Sequence, residues 1–136
     1  MGSVVCTGRA WRFREADMPN AAETVHAFMR AMEKGDFAAA RNCLADDLSF
    51  HGPLEAFAAP EPYLESLKKL HHIVERVDVK KMFVDGEDVC LLYDMVTKTP
   101  AGTAFIAEWH QVKGGKIRAI RVVFDARPFA PMFAKS

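Results

Sequence analysis

The sequence predicts an α+β domain, with helices in its first half and an antiparallel sheet in its second half. Three runs rich in Val, Ile, Phe, Tyr and Trp cover residues 89–97, 103–112 and 116–124. Short turn sequences punctuate them at 85–86, 99–102 and 114–115. Helical periodicity is confined to the residues before this region. Helices followed by a meander of strands are typical of the α+β class.

Composition limits the classes of function. The chain has 136 residues, the length of one domain, with 18 basic and 18 acidic side chains and a formal net charge of zero. Nucleic acids and anionic membranes select a basic face, so neither is an expected partner. Cys6, Cys43 and Cys90 are scattered and odd in number, and no apolar run approaches the ~20 residues of a membrane span. We therefore expect a cytoplasmic protein.

The N-terminal part divides into an arm and the start of a domain. Residues 1–17 show no period and predict either a flexible arm or an extension before a natural start at Met18. The domain is expected over residues 18–136. Asn20 and Glu23 have the spacing of a capping box, and Gly35 can end the helix that follows. One face of this helix is apolar, formed by Val25, Phe28, Met29 and Met32.

Two further helices and two strands are expected before the meander. Asp36 can cap a second helix, and residues 48–51 predict a short strand that Gly52-Pro53 ends. Pro62 suits the first turn of a third helix. Residues 74–84 read as a strand whose alternation slips near Lys80-Lys81, which predicts a bulge there.

The last hairpin predicts a strand register. If Gly114-Gly115 makes a two-residue turn, Lys113 faces Lys116 and Trp109 faces Ile120. Phe105 then faces Phe124, and this apolar set would form the concave side of the sheet. The other face would carry Glu108 opposite Arg121, an ion pair across the strands.

Several of these segments resemble the nuclear-transport-factor-2-like superfamily and its SnoaL-like branch. The resemblance rests on the helix corner at Gly35-Asp36, the segment Ala45-Asp46-Asp47 leading into a strand, the hairpin over 108–117 and the strand end Val123-Phe124-Asp125. It covers about residues 18–129. It implies a cone-shaped sheet, antiparallel or mixed, wrapped around three helices, with a deep pocket and frequent homodimers. Its members include steroid isomerases, polyketide cyclases, epoxide hydrolases, dehydratases and interaction modules.

The catalytic residues of the steroid isomerases do not carry over. Those enzymes use a tyrosine on the first helix, an aspartate after the first strand and an aspartic acid on the penultimate strand. The corresponding positions fall near Phe28, Gly52 and Ala107, and none of them matches. Steroid isomerisation by that chemistry is therefore not expected.

Asp94 and His51 are the candidate catalytic residues. Asp94 interrupts an apolar strand and, if Lys98 pairs with Thr103, points into the concavity, where it could shuttle protons. A register that turns Tyr93 inward would place Asp94 outside. His51 leaves a short strand at the expected pocket rim and could act as a general base or simply bond to backbone. If the two meet, Asp94 would orient His51.

The pocket wall is expected to be mainly aromatic. Asp125 ends the last strand and could act on substrate, although an ion pair with Arg127 or anchoring of the tail is the better interpretation. The tail over 126–136 is expected to cover the sheet mouth or a neighbouring subunit. Trp109 could stack on a flat ligand or pack in the core. The predicted substrate-binding residues are Trp109, Phe28, Tyr63, Phe105, Phe124 and Asp125.

The function expected from this reading is binding of a small apolar or aromatic molecule. No histidine or cysteine has metal-site spacing and no phosphate loop occurs, so neither a metal nor a cofactor is expected. The reaction would be a proton transfer beside a carbonyl, giving isomerisation, cyclisation or dehydration. The alternative is a non-catalytic dimerisation or ligand-carrier module.

Overall fold

A computed structural model describes residues 20–133 of the chain. The predicted arm over 1–17 and the last residues of the tail lie outside this range. The helices, which we number in chain order, are α1 (Ala21–Lys34), α2 (Phe37–Asn42), α3 (Pro60–His71) and α4 (Ala130–Phe133). The strands are β1 (Leu44–His51), β2 (Ala56–Phe57), β3 (Val74–Asp85), β4 (Asp88–Thr97), β5 (Thr103–Lys113) and β6 (Lys116–Val123).

Local capping signals define the helical corner as the sequence predicts. The Asn20 side chain accepts from the Glu23 amide at 2.8 Å, and Glu23 accepts from the Asn20 amide at 3.1 Å. Gly35 ends α1 in the left-handed region at φ 72°, where a side chain would be strained. Asp36 accepts from the amide of Ala39 and starts α2.

The six strands form one curved mixed sheet in the order β2-β1-β6-β5-β4-β3. β1 and β6 are parallel, and every other neighbouring pair is antiparallel. Helices α1 and α3 pack on one face, which we call the inner face; the opposite one is the outer face. This architecture confirms the predicted α+β class, a curved mixed sheet around helices.

Two bulges set which side chains face inward. In the β3–β4 pair, Val79 lies opposite Tyr93 and Lys81 opposite Leu92, so Lys80 is an extra residue and the predicted bulge is confirmed. A second bulge lies in the β5–β6 pair. Lys113 faces Lys116 as predicted, but Gln111 pairs with Ala119, which leaves Arg118 without a partner.

The second bulge overturns the predicted faces of β5. Beyond Arg118, Trp109 faces Arg121 and His110 faces Ile120. Trp109 is 41% exposed and Phe105 is 58% exposed, both on the outer face, so their predicted position in the concavity is wrong. The inner face instead receives the even-numbered residues of β5 and the odd-numbered residues of β4: Val89, Leu91, Tyr93, Met95, Thr97, Ala104, Ile106, Glu108, His110 and Val112.

The described part of the tail closes one side of the core. The Phe129 side chain is 3% exposed and packs edge-on against Phe124, with 5.9 Å between ring centroids. The prediction that the tail covers the mouth of the sheet is confirmed for these residues. The sheet therefore encloses a space between α3, the inner face and the tail.

Candidate functional site

A cavity of about 430 Å³ opens between α3, the inner face of the sheet and the tail. Its wall is mostly apolar. The apolar and aromatic lining consists of Phe50, Leu54, Leu67, Leu70, Ile73, Met95, Ile106, Val122, Phe124, Phe129 and Met132. Its polar lining falls into two groups. Glu55, Ser66 and Lys69 lie at the more exposed end, where Ser66 donates to Glu55 at 2.6 Å, and Tyr63, Tyr93 and Glu108 lie at the buried end.

The buried end is built by two neighbouring strands. Tyr93 on β4 lies opposite Ile106 and thus diagonal to Glu108 on β5, within reach across the ladder. The Tyr93 hydroxyl donates a hydrogen bond to Glu108 Oε1. Glu108 and His110 are two residues apart on β5 and so share the inner face. Glu108 Oε2 lies 2.8 Å from His110 Nε2, which gives a continuous contact from Tyr93 through Glu108 to His110.

His110 sits behind this contact and is fully buried. Its side chain is 0% exposed and does not line the cavity. Nε2 approaches Oε2 without the alignment of a hydrogen bond, and neither ring nitrogen has a hydrogen-bond partner within residues 20–133. Glu108 is therefore the group through which this pair meets the cavity.

The surroundings of Glu108 favour its ionised form. Burial is the largest influence and acts to raise the pKa of the Glu108 carboxyl, but the charge of His110 and the Tyr93 hydrogen bond together bring that pKa below its usual value. Burial first, and then the negative charge of Glu108, raise the pKa of both Tyr63 and Tyr93 well above the usual range. The site thus presents a carboxylate beside two neutral phenols.

Two of the predicted wall residues line the cavity. Tyr63, on α3, is 3% exposed and stacks on Phe50 with 4.6 Å between ring centroids. Phe124 follows β6 and contributes the opposite wall. Phe28 is buried in the core behind Tyr63, at 6.5 Å between ring centroids, and does not line the cavity. A role in binding stays a prediction for Tyr63 and Phe124.

Asp125 lies outside the cavity and pairs with its neighbour in sequence. Its carboxylate accepts from the Arg127 guanidinium at 2.7 Å, which is the better of the two interpretations made from the sequence. Hydrogen bonds from the Arg127 side chain and backbone lower the pKa of Asp125 to about 2. The geometry gives it a structural contact in the tail.

Asp94 is on the outer face, so the predicted inward orientation is wrong. The odd-numbered residues of β4 point inward, which is the alternative register that turns Tyr93 toward the core. The Asp94 carboxylate lies 3.5 Å from Lys80 Nζ and faces Phe105 across the ladder. The catalytic role predicted for Asp94 therefore loses its geometric basis.

His51 is exposed at the end of β1, opposite Arg121, and does not line the cavity. Strands β6 and β5 separate it from β4, a distance of about 14 Å at the usual strand spacing. His51 and Asp94 do not meet, and the predicted dyad is wrong. In their place the structure brings together Tyr93, Glu108 and His110.

No group of three or more His, Cys, Asp or Glu side chains within residues 20–133 could hold a metal ion. None of the described helices is long and apolar enough to cross a membrane.

Comparison with solved structures places the fold among known ones. A protein from Kribbella flavida is 28% identical, with a TM-score of 0.73 over 79% of this chain and 88% of that one. An NTF2-like protein of unknown function from Cytophaga hutchinsonii is 29% identical, with a TM-score of 0.70 over 80% and 93%. An epoxide hydrolase of the LEH-like type from M. tuberculosis is 19% identical, with a TM-score of 0.70 over 86% and 91%, and shows the fold alone.

Comparison at the level of sequence families agrees with this likeness. No curated protein matches the chain. The family model of the SnoaL-like domain matches residues 25–120, from the second turn of α1 into β6, and includes every residue of the Tyr93–Glu108–His110 contact. The chain therefore belongs to the SnoaL-like domain family.

Proposed function

We propose that this protein binds a small, largely apolar carbonyl compound in the cavity and transfers a proton on it, with Glu108 as acid and base. One observation carries the proposal. Glu108 lies at the buried end of an apolar cavity that opens to solvent, in contact with the Tyr93 hydroxyl and with His110 Nε2. A carboxylate shielded from water is an effective proton acceptor when a substrate is held against it.

The chemistry follows from the side chains at that end. Glu108 removes a proton from the carbon beside the carbonyl, and the C–H electrons move onto the carbonyl oxygen. In this proposal the hydroxyl of Tyr63, which lines the cavity near Glu108, donates a hydrogen bond to that oxygen. Return of the proton to another carbon is an isomerisation. Attack of the enolate on a second carbonyl is a cyclisation, and expulsion of a β-hydroxyl is a dehydration.

The proposal can be tested before the physiological substrate is known. Apolar ketones of aromatic, polyketide-like and terpenoid type are first screened for a rise in melting temperature, which reports binding by mass action. Bound compounds are then incubated in D₂O, and exchange of the proton beside the carbonyl is followed by NMR. Exchange tests the reaction class without requiring the final product.

Glu108→Gln should lower the exchange rate by about 10²- to 10⁴-fold, the usual contribution of a general base. Glu55→Gln is the matched control, because it neutralises a carboxylate at the exposed end of the same cavity and should leave exchange unchanged. A folded Glu108→Gln protein that exchanges at the wild-type rate would overturn the proposal.

The alternative, a dimerisation or carrier module, is favoured by the outer face of the sheet. Four large apolar side chains are exposed there on β3, β5 and β6: Phe83, Phe105, Trp109 and Val123, at 53%, 58%, 41% and 66%. Exposed large apolar side chains grouped on one face commonly mark a protein–protein interface. We propose that a second copy of the chain covers it, an arrangement compatible with a working cavity on the other face.

Sedimentation velocity of the full chain tests this assembly. Phe105→Asp should shift the protein from dimer to monomer, because it places a charge among these exposed apolar side chains. Lys113→Asp, at the hairpin end of the same strand, is the control and should leave the dimer intact. A wild-type protein that sediments as a monomer at tens of micromolar would contradict the proposal.

A further inference from the structure

We infer that His110 is a positioning residue, which holds a proton and, as the buried partner of Glu108, keeps that carboxylate charged and turned toward the cavity. The inference deepens the proposed function and rests on the role given there to Glu108. His110 cannot touch a substrate itself, since its side chain is fully buried and lies outside the cavity wall.

The first observation is that the ring nitrogens of His110 make no hydrogen bond to any other described residue. A buried histidine normally satisfies at least one nitrogen with a hydrogen bond, and an unsatisfied buried polar group is destabilising. Within residues 20–133, His110 satisfies neither. Its partners on the adjacent strands, Val89 on β4 and Ile120 on β6, are apolar and fully buried. Packing alone would be better served by an apolar residue.

The second observation is the need of Glu108 for a counter-charge. Its side chain is 8% exposed, and a carboxylate buried to that degree becomes protonated unless a cation accompanies it. Two tyrosines lie beside it, Tyr93 from β4 and Tyr63 from α3. Tyr93 donates a hydrogen bond to the carboxylate, but neither tyrosine can supply a positive charge. Nε2 of His110, at 2.8 Å, is the group beside it that becomes positive when it carries a proton. A proton on His110 would explain both observations: it gives the buried imidazole a partner of opposite charge, and it gives the buried carboxylate a counter-charge.

This arrangement has a consequence for turnover. The proton taken from substrate goes to Glu108 and leaves that carboxyl neutral, while His110 keeps its own proton throughout. The buried imidazolium is then without a counter-charge, so the neutral Glu108 is driven to return its proton to the substrate. The pair therefore favours release of the proton as well as its uptake.

The test measures the protonation states of His110 and Glu108 by NMR and needs no substrate. In wild-type protein, ¹⁵N NMR of His110 should show both ring nitrogens protonated at pH 7, and ¹³C NMR of the Glu108 carboxyl, assigned by its loss in Glu108→Gln, should show the ionised form. A neutral His110 or a protonated Glu108 in wild-type protein overturns the inference, whether or not any variant folds.

His110→Gln provides the matched change, because it keeps a polar side chain of similar size but cannot carry charge. The midpoint of the Glu108 titration should move to higher pH, to a proton concentration at least tenfold lower. Tyr93→Phe removes one neutral hydrogen bond and should move it less. An unchanged midpoint in folded His110→Gln would contradict the inference. Failure of deuterium exchange with these charges intact would count against the proposed reaction alone.

Discussion

Insertion of one alanine between Arg118 and Ala119 should disrupt the protein far more than replacement of the Arg118 side chain. Arg118 is already the extra residue of the β5–β6 bulge, between the pair of Val112 with Ile117 and the pair of Gln111 with Ala119. A second extra residue would make the residues that follow slip by one position against β5. A slip of one residue in a strand reverses every side chain beyond it.

The magnitude follows from the residues that would exchange faces. Ile120 is fully buried and would turn outward, which forfeits about 1.5 to 3 kcal/mol. Arg121, which is exposed, would turn into the core, and burial of an unpaired charge adds several kcal/mol more. β5 cannot reverse to compensate, because its register with β4 is unbroken from Asp88 to Val96. The total, on the order of 5 kcal/mol or more, rivals the stability of many whole domains.

Urea denaturation followed by circular dichroism measures this effect, with Arg118→Ala as the matched control. The control keeps the number of residues and removes an exposed ion pair to Asp47 at 3.2 Å, which should change the free energy of unfolding by less than about 1 kcal/mol. If the insertion variant unfolds at the same urea concentration as Arg118→Ala, the register beyond the bulge does not determine the faces of this hairpin.

Three further predictions concern the site. Glu108→Leu should lower the free energy of unfolding by about 3 to 5 kcal/mol, because it leaves His110 buried without its partner. Adding His110→Leu should recover most of that loss, because two buried apolar side chains are more stable than one unpaired polar group. Urea denaturation measures both variants. Stability should fall as pH rises above about 10, since the raised pKa of Tyr93 and of Tyr63 means that the unfolded chain loses protons which the folded chain keeps. Thermal melts should show a flatter alkaline fall in Tyr93→Phe. Phe129→Ala should destabilise by about 3 kcal/mol and increase the fluorescence of an added apolar dye, because it opens the cavity wall.

Helix ends and turns were predictable because their signals are local. The capping box at Asn20, the left-handed Gly35 and the cap at Asp36 each depend on residues within four positions. The Gly114-Gly115 turn likewise determined the pairing of Lys113 with Lys116. Interactions of this range can be read from one sequence, since no distant partner competes with them.

The predicted faces of β5 and β6 are wrong, because the prediction assumed strict alternation of side chains through the bulge at Arg118. Ile117 and Ile120 are both fully buried although they are three residues apart, which strict alternation forbids. The same spacing, between Val79 and Met82, signalled the bulge at Lys80. The bulge at Arg118 was missed because Phe105 and Trp109 form an aromatic row on one face of β5. Such a row is more typical of a core than Glu108 and His110 on the other face.

The two faces of β5 therefore have separate roles: the inner face carries the buried Glu108–His110 pair, and the outer face carries exposed aromatic side chains. The inner residues Glu108 and His110 tolerate burial only as a pair, and their two-residue spacing on one strand lets the backbone hold them in contact without help from a loop. The outer residues Phe105 and Trp109 are free of that constraint and remain exposed. Changes on the outer face should thus alter association and leave the cavity intact, whereas changes on the inner face should alter the cavity and the stability of the fold.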